Sequence, residues 1–117
     1  MTDDTAQCLF CRIGRREIPG KFAYEDESVF AIYDVNPQAP VHLLVIPREH
    51  VSKISDAEEK HSELLGRLLL RAAHLAKDLK LEKGYRLVIN NGTGEGQSVF
   101  HIHLHVLGGR PMRWPPG

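Results

Sequence analysis

Apolar and polar positions follow two different periods along this chain. From Phe100 to Leu107 they alternate strictly, with Phe100, Ile102, Leu104 and Val106 interleaved by His101, His103 and His105. That is the period of a β-strand, so the three imidazoles share one face, ~7 Å apart along the strand, and the apolar side chains share the other. Between Leu64 and Leu79 the period is helical. At ~100° per residue, Leu64, Leu65, Leu68, Leu69, Ala72, Leu75, Ala76 and Leu79 fill an arc of ~140°, wider than the ~100° stripe a surface helix needs. Ala73 widens the arc, and Arg67, Arg71, His74 and Asp78 fall opposite. The width and the outlying Leu70 leave two readings open, a thick intramolecular core or contact with a partner chain. Ser55 followed by Glu58 is a capping-box pattern and predicts the helix start. The helix is expected to run to about Leu79, with Gly84 closing the segment.

The remaining pattern supplies shorter elements. Residues 1–7 are polar and expected to be loose. Cys8 to Ile18 has no strand period and predicts a short helix stopped by Pro19-Gly20. Lys21–Glu25 and Val29–Tyr33 predict a hairpin around Asp26-Glu27-Ser28. A proline-punctuated loop covers Asp34 to Pro40, and His42–Ile46 reads as a buried strand closed by Pro47. Arg48 to Ile54 is a connection, Tyr85–Asn90 a strand, and Asn91–Ser98 a glycine-rich loop. Gly108-Gly109 ends the histidine strand, and the tail from Arg110 to Gly117 has no period. There are no repeats and no internal boundary. One α+β domain over residues 1–117 is expected, with an antiparallel five-stranded sheet, one long helix and a short N-terminal helix.

Composition narrows the function classes. The 117 residues carry 15 Lys plus Arg against 15 Asp plus Glu. A balanced chain without a basic stripe has no electrostatic footprint for duplex nucleic acid or for a membrane surface. No apolar run approaches the ~18 residues of a membrane span. Met1-Thr2-Asp3-Asp4 lacks a signal segment, so a cytoplasmic location is expected. Any phosphate is then bound locally, in a shaped pocket.

Gly92, Gly94 and Gly96 sit at alternate positions just before the histidines. Bare peptide groups there can turn N–H donors toward an anion. The loop is not a P-loop, since no Gly-Lys-Ser/Thr and no helix follow. Taken alone it is a flexible hairpin loop; beside Asn90, Ser98 and three histidines it suggests a phosphate held near a nucleophile. A neutral imidazole attacks phosphorus well when its second nitrogen is held by an acceptor. The central His103, flanked on both sides, suits that role. His105 and the distant His42 suit binding of phosphoryl oxygens or proton movement. The rival reading is a three-histidine metal site.

His101-Ile102-His103-Leu104-His105-Val106-Leu107 resembles the signature of the histidine triad (HIT) family. The match runs over nearly the whole chain. Asp34 with Asn36-Pro37-Gln38-Ala39-Pro40, His42 with Val45-Ile46-Pro47, Gly84-Tyr85-Arg86, Gly96-Gln97-Ser98, and the tail through Trp114-Pro115-Pro116-Gly117 are similar to the Hint branch, the nucleoside phosphoramidases. The tail argues against the diadenosine-polyphosphate hydrolase branch. The resemblance implies that His103 is the nucleophile, with His42, His105, Asn90 and the Gly96 backbone around the phosphate. It places Ser98 near the leaving amine and Asp34 on the ribose hydroxyls. Phe10, Ile13, Ile18, Ile32 and Val35 would form the slot for the base, although each taken singly reads sooner as plain core. It implies a homodimer through the long helix and paired sheets, with Trp114 approaching the partner's site.

Cys8-x-x-Cys11 reads as a redox pair, a metal knuckle or two buried thiols, redox being the weakest because no thioredoxin-like pattern surrounds it. Many histidine triad proteins complete such a pair with two histidines; other Hint-like members lack the cysteines. The implied structural zinc set is Cys8, Cys11, His50 and His101, which removes His101 from the chemistry. His61 and His74 are assigned to a solvated helix face. The expected activity is hydrolysis of the P–N bond of a purine nucleoside 5′-phosphoramidate, of the AMP or GMP type, through a nucleotidyl-His103 intermediate, with no cofactor needed for the chemistry. The alternatives are a dinucleoside polyphosphate hydrolase or nucleotidyl transferase, and a nucleotide-binding scaffold with little turnover.

Overall fold

The structure, a computed structural model, describes residues 4–117. Five antiparallel strands form one sheet: β1 (Phe22–Glu25), β2 (Val29–Tyr33), β3 (Val41–Pro47), β4 (Tyr85–Val88) and β5 (Leu104–Gly108), in the order β1-β2-β3-β5-β4. This is the expected α+β architecture. The pairs Leu44↔His105 and His42↔Leu107 fix the central register. Alternation then divides the sheet into two faces. Val29, Ala31, Leu43, Val45, Leu104 and Val106 face one helix, α3 (Ser62–Asp78), and pack on Leu68, Ala72, Leu75 and Ala76. Phe30, Ile32, Leu44 and Ile46 face the other way, against Phe10 and Ile13 of a short helix, α2 (Leu9–Gly14). His42 and His105 lie on that second face. No helix among the described residues is long and apolar enough to cross a membrane.

Several elements differ from expectation. Of residues 1–7, expected to be loose, 1–3 lie outside the described residues and Asp4–Gln7 forms one helical turn, α1. The next helix stops at Gly14 rather than Ile18. Arg16 takes φ 60°, in the left-handed region, and its N–H closes on Ile13 O. Gly14 lies so near Phe30 that a Cβ there would be 2.9 Å from the ring. The long helix begins at Ser62, seven residues past the predicted capping position. Two 3-10 turns, Ile54–Asp56 and Glu59–His61, precede it. The reciprocal cap is made by Glu58 and His61: the Glu58 carboxylate accepts the His61 N–H, and His61 Nδ1 accepts the Glu58 N–H at 2.9 Å. Ser55 instead donates its N–H to Asn91 Oδ1. His61 is therefore buried, and its Nε2–H reaches Glu49 at 2.9 Å, whereas His74 is exposed as expected.

The histidine strand is shorter than its alternation. Only Leu104–Gly108 joins the sheet. The segment before it turns its backbone elsewhere, with Ile102 N–H bound to Val51 O at 2.8 Å. Side-chain alternation survives, since Ile102 remains in the core with Leu104 and Val106.

Candidate active site and metal centre

His103 is buried, and its Nδ1 lies 2.8 Å from His101 O. A carbonyl only accepts, so Nδ1 carries the hydrogen and Nε2 keeps its lone pair. Phe10 packs edge-on against the ring at 4.9 Å between centroids. Burial pushes the imidazole below its ordinary pKa, against smaller raising effects from the His101 carbonyl and Asp34, so the ring is neutral at pH 7.

His42 and His105 form a directional pair. The Gln38 backbone N–H donates to His42 Nδ1 at 3.0 Å. His42 Nε2 must then bear the hydrogen, and it lies 2.9 Å from His105 Nδ1 and 3.4 Å from Asp34 Oδ2. His105 Nδ1 is the acceptor, which leaves the hydrogen on His105 Nε2. That atom is buried and has no hydrogen-bond partner among the described residues. An orphan donor in a folded protein asks for an acceptor from outside. The His103 and His105 rings are 5.1 Å apart. The site thus sets a nitrogen lone pair beside an N–H that no acceptor among the described residues takes up. Burial lowers both members of the pair, His105 to about 4 with help from His103 and His42, while Asp34 pulls each upward.

Asp34, His42 and His105 bring three ligand-type atoms within 4.8 Å of one another. The Gln38 N–H argues against a metal there, because the His42 nitrogen facing the cluster already carries a hydrogen. The second such group is Cys8, Cys11, His50 and His101. Neither group contains all three strand histidines, so the three-histidine metal reading is not supported among the described residues. Cys8 Sγ and Cys11 Sγ lie 3.3 and 3.5 Å from His101 Nδ1, Cys11 Sγ lies 3.4 Å from His50 Nδ1, and the two Nδ1 atoms are 3.2 Å apart. A tetrahedron with bonds of ~2.0 to ~2.3 Å has edges of about 3.3 to 3.8 Å, so the set fits a small tetrahedral cation. His101 Nε2 lies 2.7 Å from Pro47 O, which places its hydrogen there and points Nδ1 at the cluster, as in a metal-ligating histidine whose other nitrogen donates to a carbonyl.

The other expected site residues are distributed unevenly. Phe10, Ile13 and Ile32 are buried in one apolar cluster beside the histidines, with Ile18 partly buried against it. Val35 is fully exposed on the loop after Asp34 and touches none of that cluster. Asn90 Nδ2 would lie 3.9 Å from a Cβ at Gly96, so that amide and Gly96 are neighbours. Ser98 is exposed and lines a groove of about 350 Å³ with Cys8, Leu9, His50 and Phe100. The anion cradle expected from the glycine loop is not preformed. Gly96 N–H is bound to Thr93 O, and the Glu95 and Gln97 N–H groups are bound to Gly92 O. Gln97, missed by pattern reading, clasps the loop. Its Oε1 accepts Gly92 N–H at 2.8 Å and its Nε2 donates to Ser52 O and Val99 O. Gln38 was missed as well, since a backbone donor leaves no mark in composition.

Residues 15–112 match the HIT domain. An uncharacterized HIT-like protein from Synechocystis sp. is 53% identical over the full length of both chains. A 14 kDa zinc-binding protein from Zea mays is 51% identical, over 97% of this chain and 91% of its own. The crystal structure of a HIT family hydrolase from Legionella pneumophila superposes with a TM-score of 0.93 at 53% identity, covering 95% of this chain and all of the other. The chain belongs to the HIT family.

Proposed function

We propose that this chain is a nucleoside phosphoramidase of the Hint branch, hydrolysing the P–N bond of purine nucleoside 5′-phosphoramidates. The observation that carries the reading is the pairing of a locked His103 Nε2 lone pair with the unpartnered His105 Nε2–H. His103 Nε2 attacks phosphorus as the P–N bond breaks. The departing nitrogen gains a proton, and His105 Nε2–H is the donor for it or for a phosphoryl oxygen. Water then attacks the nucleotidyl-His103, the N–P bond breaks, and a proton returns to the His42–His105 chain. The sum is one water added across P–N. Asp34 accepts the ribose hydroxyls, the Phe10–Ile32 cluster receives the base, and Ser98 stands on the amine side. Binding requires the glycine loop to turn its donors outward from their internal bonds. Support also comes from similarity to a protein described as a HIT family hydrolase. The test is a rapid-mixing assay of an adenosine phosphoramidate: wild type gives a burst of amine and His103→Ala gives neither burst nor turnover. Equal turnover by the variant refutes the reading.

Cys8, Cys11, His50 and His101 are the proposed holders of a structural zinc, a reading supported by their spacing and by similarity to the maize zinc-binding protein. Zinc there would tie the start of α2 to the exit of β3 and to the segment carrying His103. Metal analysis of protein purified without chelator is expected to give about one zinc per chain, a four-ligand site binding one ion; a content near zero refutes it. A homodimer is proposed over the exposed Leu69, Leu70 and Tyr85 on α3 and the edge strand β4, with Trp114 reaching the partner's site. Sedimentation showing only monomers at micromolar concentration rules it out.

A further inference from the structure

We propose that Arg110, at the start of the C-terminal tail, is a positioning residue that fixes the direction of hydrogen bonding along His42 and His105. This rests on the phosphoramidase reading for its kinetic consequence only. Arg110 Nε and Nη2 donate to Gln38 O at 3.1 and 3.0 Å, 72 residues away in the chain. Its remaining fork nitrogen, Nη1, donates to Pro111 O. Gln38 therefore has its carbonyl held by the tail while its N–H holds His42 Nδ1. The approach is built into the backbone. Gly109 sits at φ +88°, where a Cβ would lie 2.9 Å from Pro40 Cβ, so only a residue without a side chain lets the tail pass this close to the loop.

The consequence follows from what a backbone amide can do. It donates and never accepts, so its bond to His42 Nδ1 dictates the tautomer of His42 and, through it, that of His105. The Gln38 side chain and its acceptor Asn36 O lie on the exposed surface. Without the Arg110 fork the Gln38 amide can swing to water. His42 then gains access to the tautomer with hydrogen on Nδ1, the bond to His105 reverses, and His105 presents a lone pair where it now presents an N–H. A planar guanidinium placing two N–H groups on one carbonyl resists that swing better than an ammonium does.

The experiment compares the wild type with Arg110→Ala and Arg110→Lys as full-length chains. The first readout is the ¹⁵N chemical shifts of the His42 ring. In the wild type Nδ1 carries the shift of an unprotonated nitrogen and Nε2 that of a protonated one; in Arg110→Ala the two move toward each other. The second readout is turnover of an adenosine phosphoramidate. Here kcat falls about tenfold with KM within about twofold, the scale of a small misplacement of catalytic groups. Arg110→Lys lies between, and millimolar methylguanidinium restores kcat to Arg110→Ala without affecting the wild type. Wild-type shifts and kcat in Arg110→Ala overturn the proposal. So does an activity loss that only tracks a lowered melting temperature and does not respond to methylguanidinium. If the wild type itself fails to cleave the P–N bond, the functional reading falls, and the ring shifts still decide the strap.

Discussion

At His42 one peptide group governs an imidazole. The Gln38 N–H makes full protonation of the ring unfavourable, because a hydrogen on Nδ1 would face another hydrogen. Burial acts the same way, lowering His42 and taking His105 to about 4. Each of these groups has a folded pKa below the ordinary 6.5, so the neutral pair persists as pH falls and is lost only in the more acidic range. kcat/KM for a P–N substrate is accordingly expected to decline in acid only at a pH below that of an ordinary imidazole. A profile already half-lost at pH 6.5 would contradict the assigned tautomers. At this scale the histidines were legible in the sequence, because alternation alone puts His101, His103 and His105 on one side. Alternation did not divide them, although the family resemblance set His101 with the cysteines; the hydrogen-bond directions behind the division were not legible. His101 turns to the cysteines and His105 to His42, and these choices are made by Pro47 O and Gln38 N–H, backbone groups that every sequence carries.

Among the elements, β2 was legible to the residue and the helix α3 in most of its apolar stripe, since Leu68, Ala72, Leu75 and Ala76 are buried while Leu69 of the same stripe is exposed. Boundaries were lost wherever a backbone bond leaves the regular pattern: Ile102 N–H bonds to Val51 O before the strand begins, and His61 replaces an acidic residue in the helix cap. The glycine loop shows the same limit. Its composition announces mobility or an anion site, whereas Gln97 folds it shut. Gln97→Glu keeps the acceptor for Gly92 N–H but places a carboxylate oxygen against Ser52 O and Val99 O in place of a donor. Two partly buried acceptors then face a third. A loss of about 1–3 kcal/mol is expected, measured by urea denaturation. Faster proteolytic cleavage within residues 92–96 would accompany it. An unchanged midpoint and cleavage rate would mean that the clasp is idle.

Across the whole molecule, Asp26 joins the two sides of the sheet. Its Oδ1 accepts the N–H groups of Ser28 and Val29, closing the β1–β2 turn. Its Oδ2 accepts from Tyr24 OH and from Arg71 Nε on α3. Its own carbonyl accepts from Arg48, which also holds Gly14 O at the end of α2. Partial burial works to raise the Asp26 pKa, but the four hydrogen bonds outweigh it and hold the carboxyl well below the ordinary carboxylate range. The unfolded chain takes up this proton first as pH falls, near the unperturbed value of about 3.9. The stabilisation is therefore complete above about pH 5 and lost progressively below 4. Asp26→Asn retains one acceptor for the turn but sets an NH₂ against Tyr24 OH and the Arg71 guanidinium, so Arg71 loses its carboxylate. At pH 7 the variant is expected to be less stable by about 1–3 kcal/mol, since bonds to a charged group are removed and the site is partly solvated. The decisive measurement is the difference in melting temperature between wild type and variant from pH 7 to pH 3. It should narrow as pH drops below 4, because only the wild type forfeits a carboxylate there. A gap that stays constant would locate the effect of Asp26 in packing of the turn and leave its charge without a part in holding α3 to the sheet.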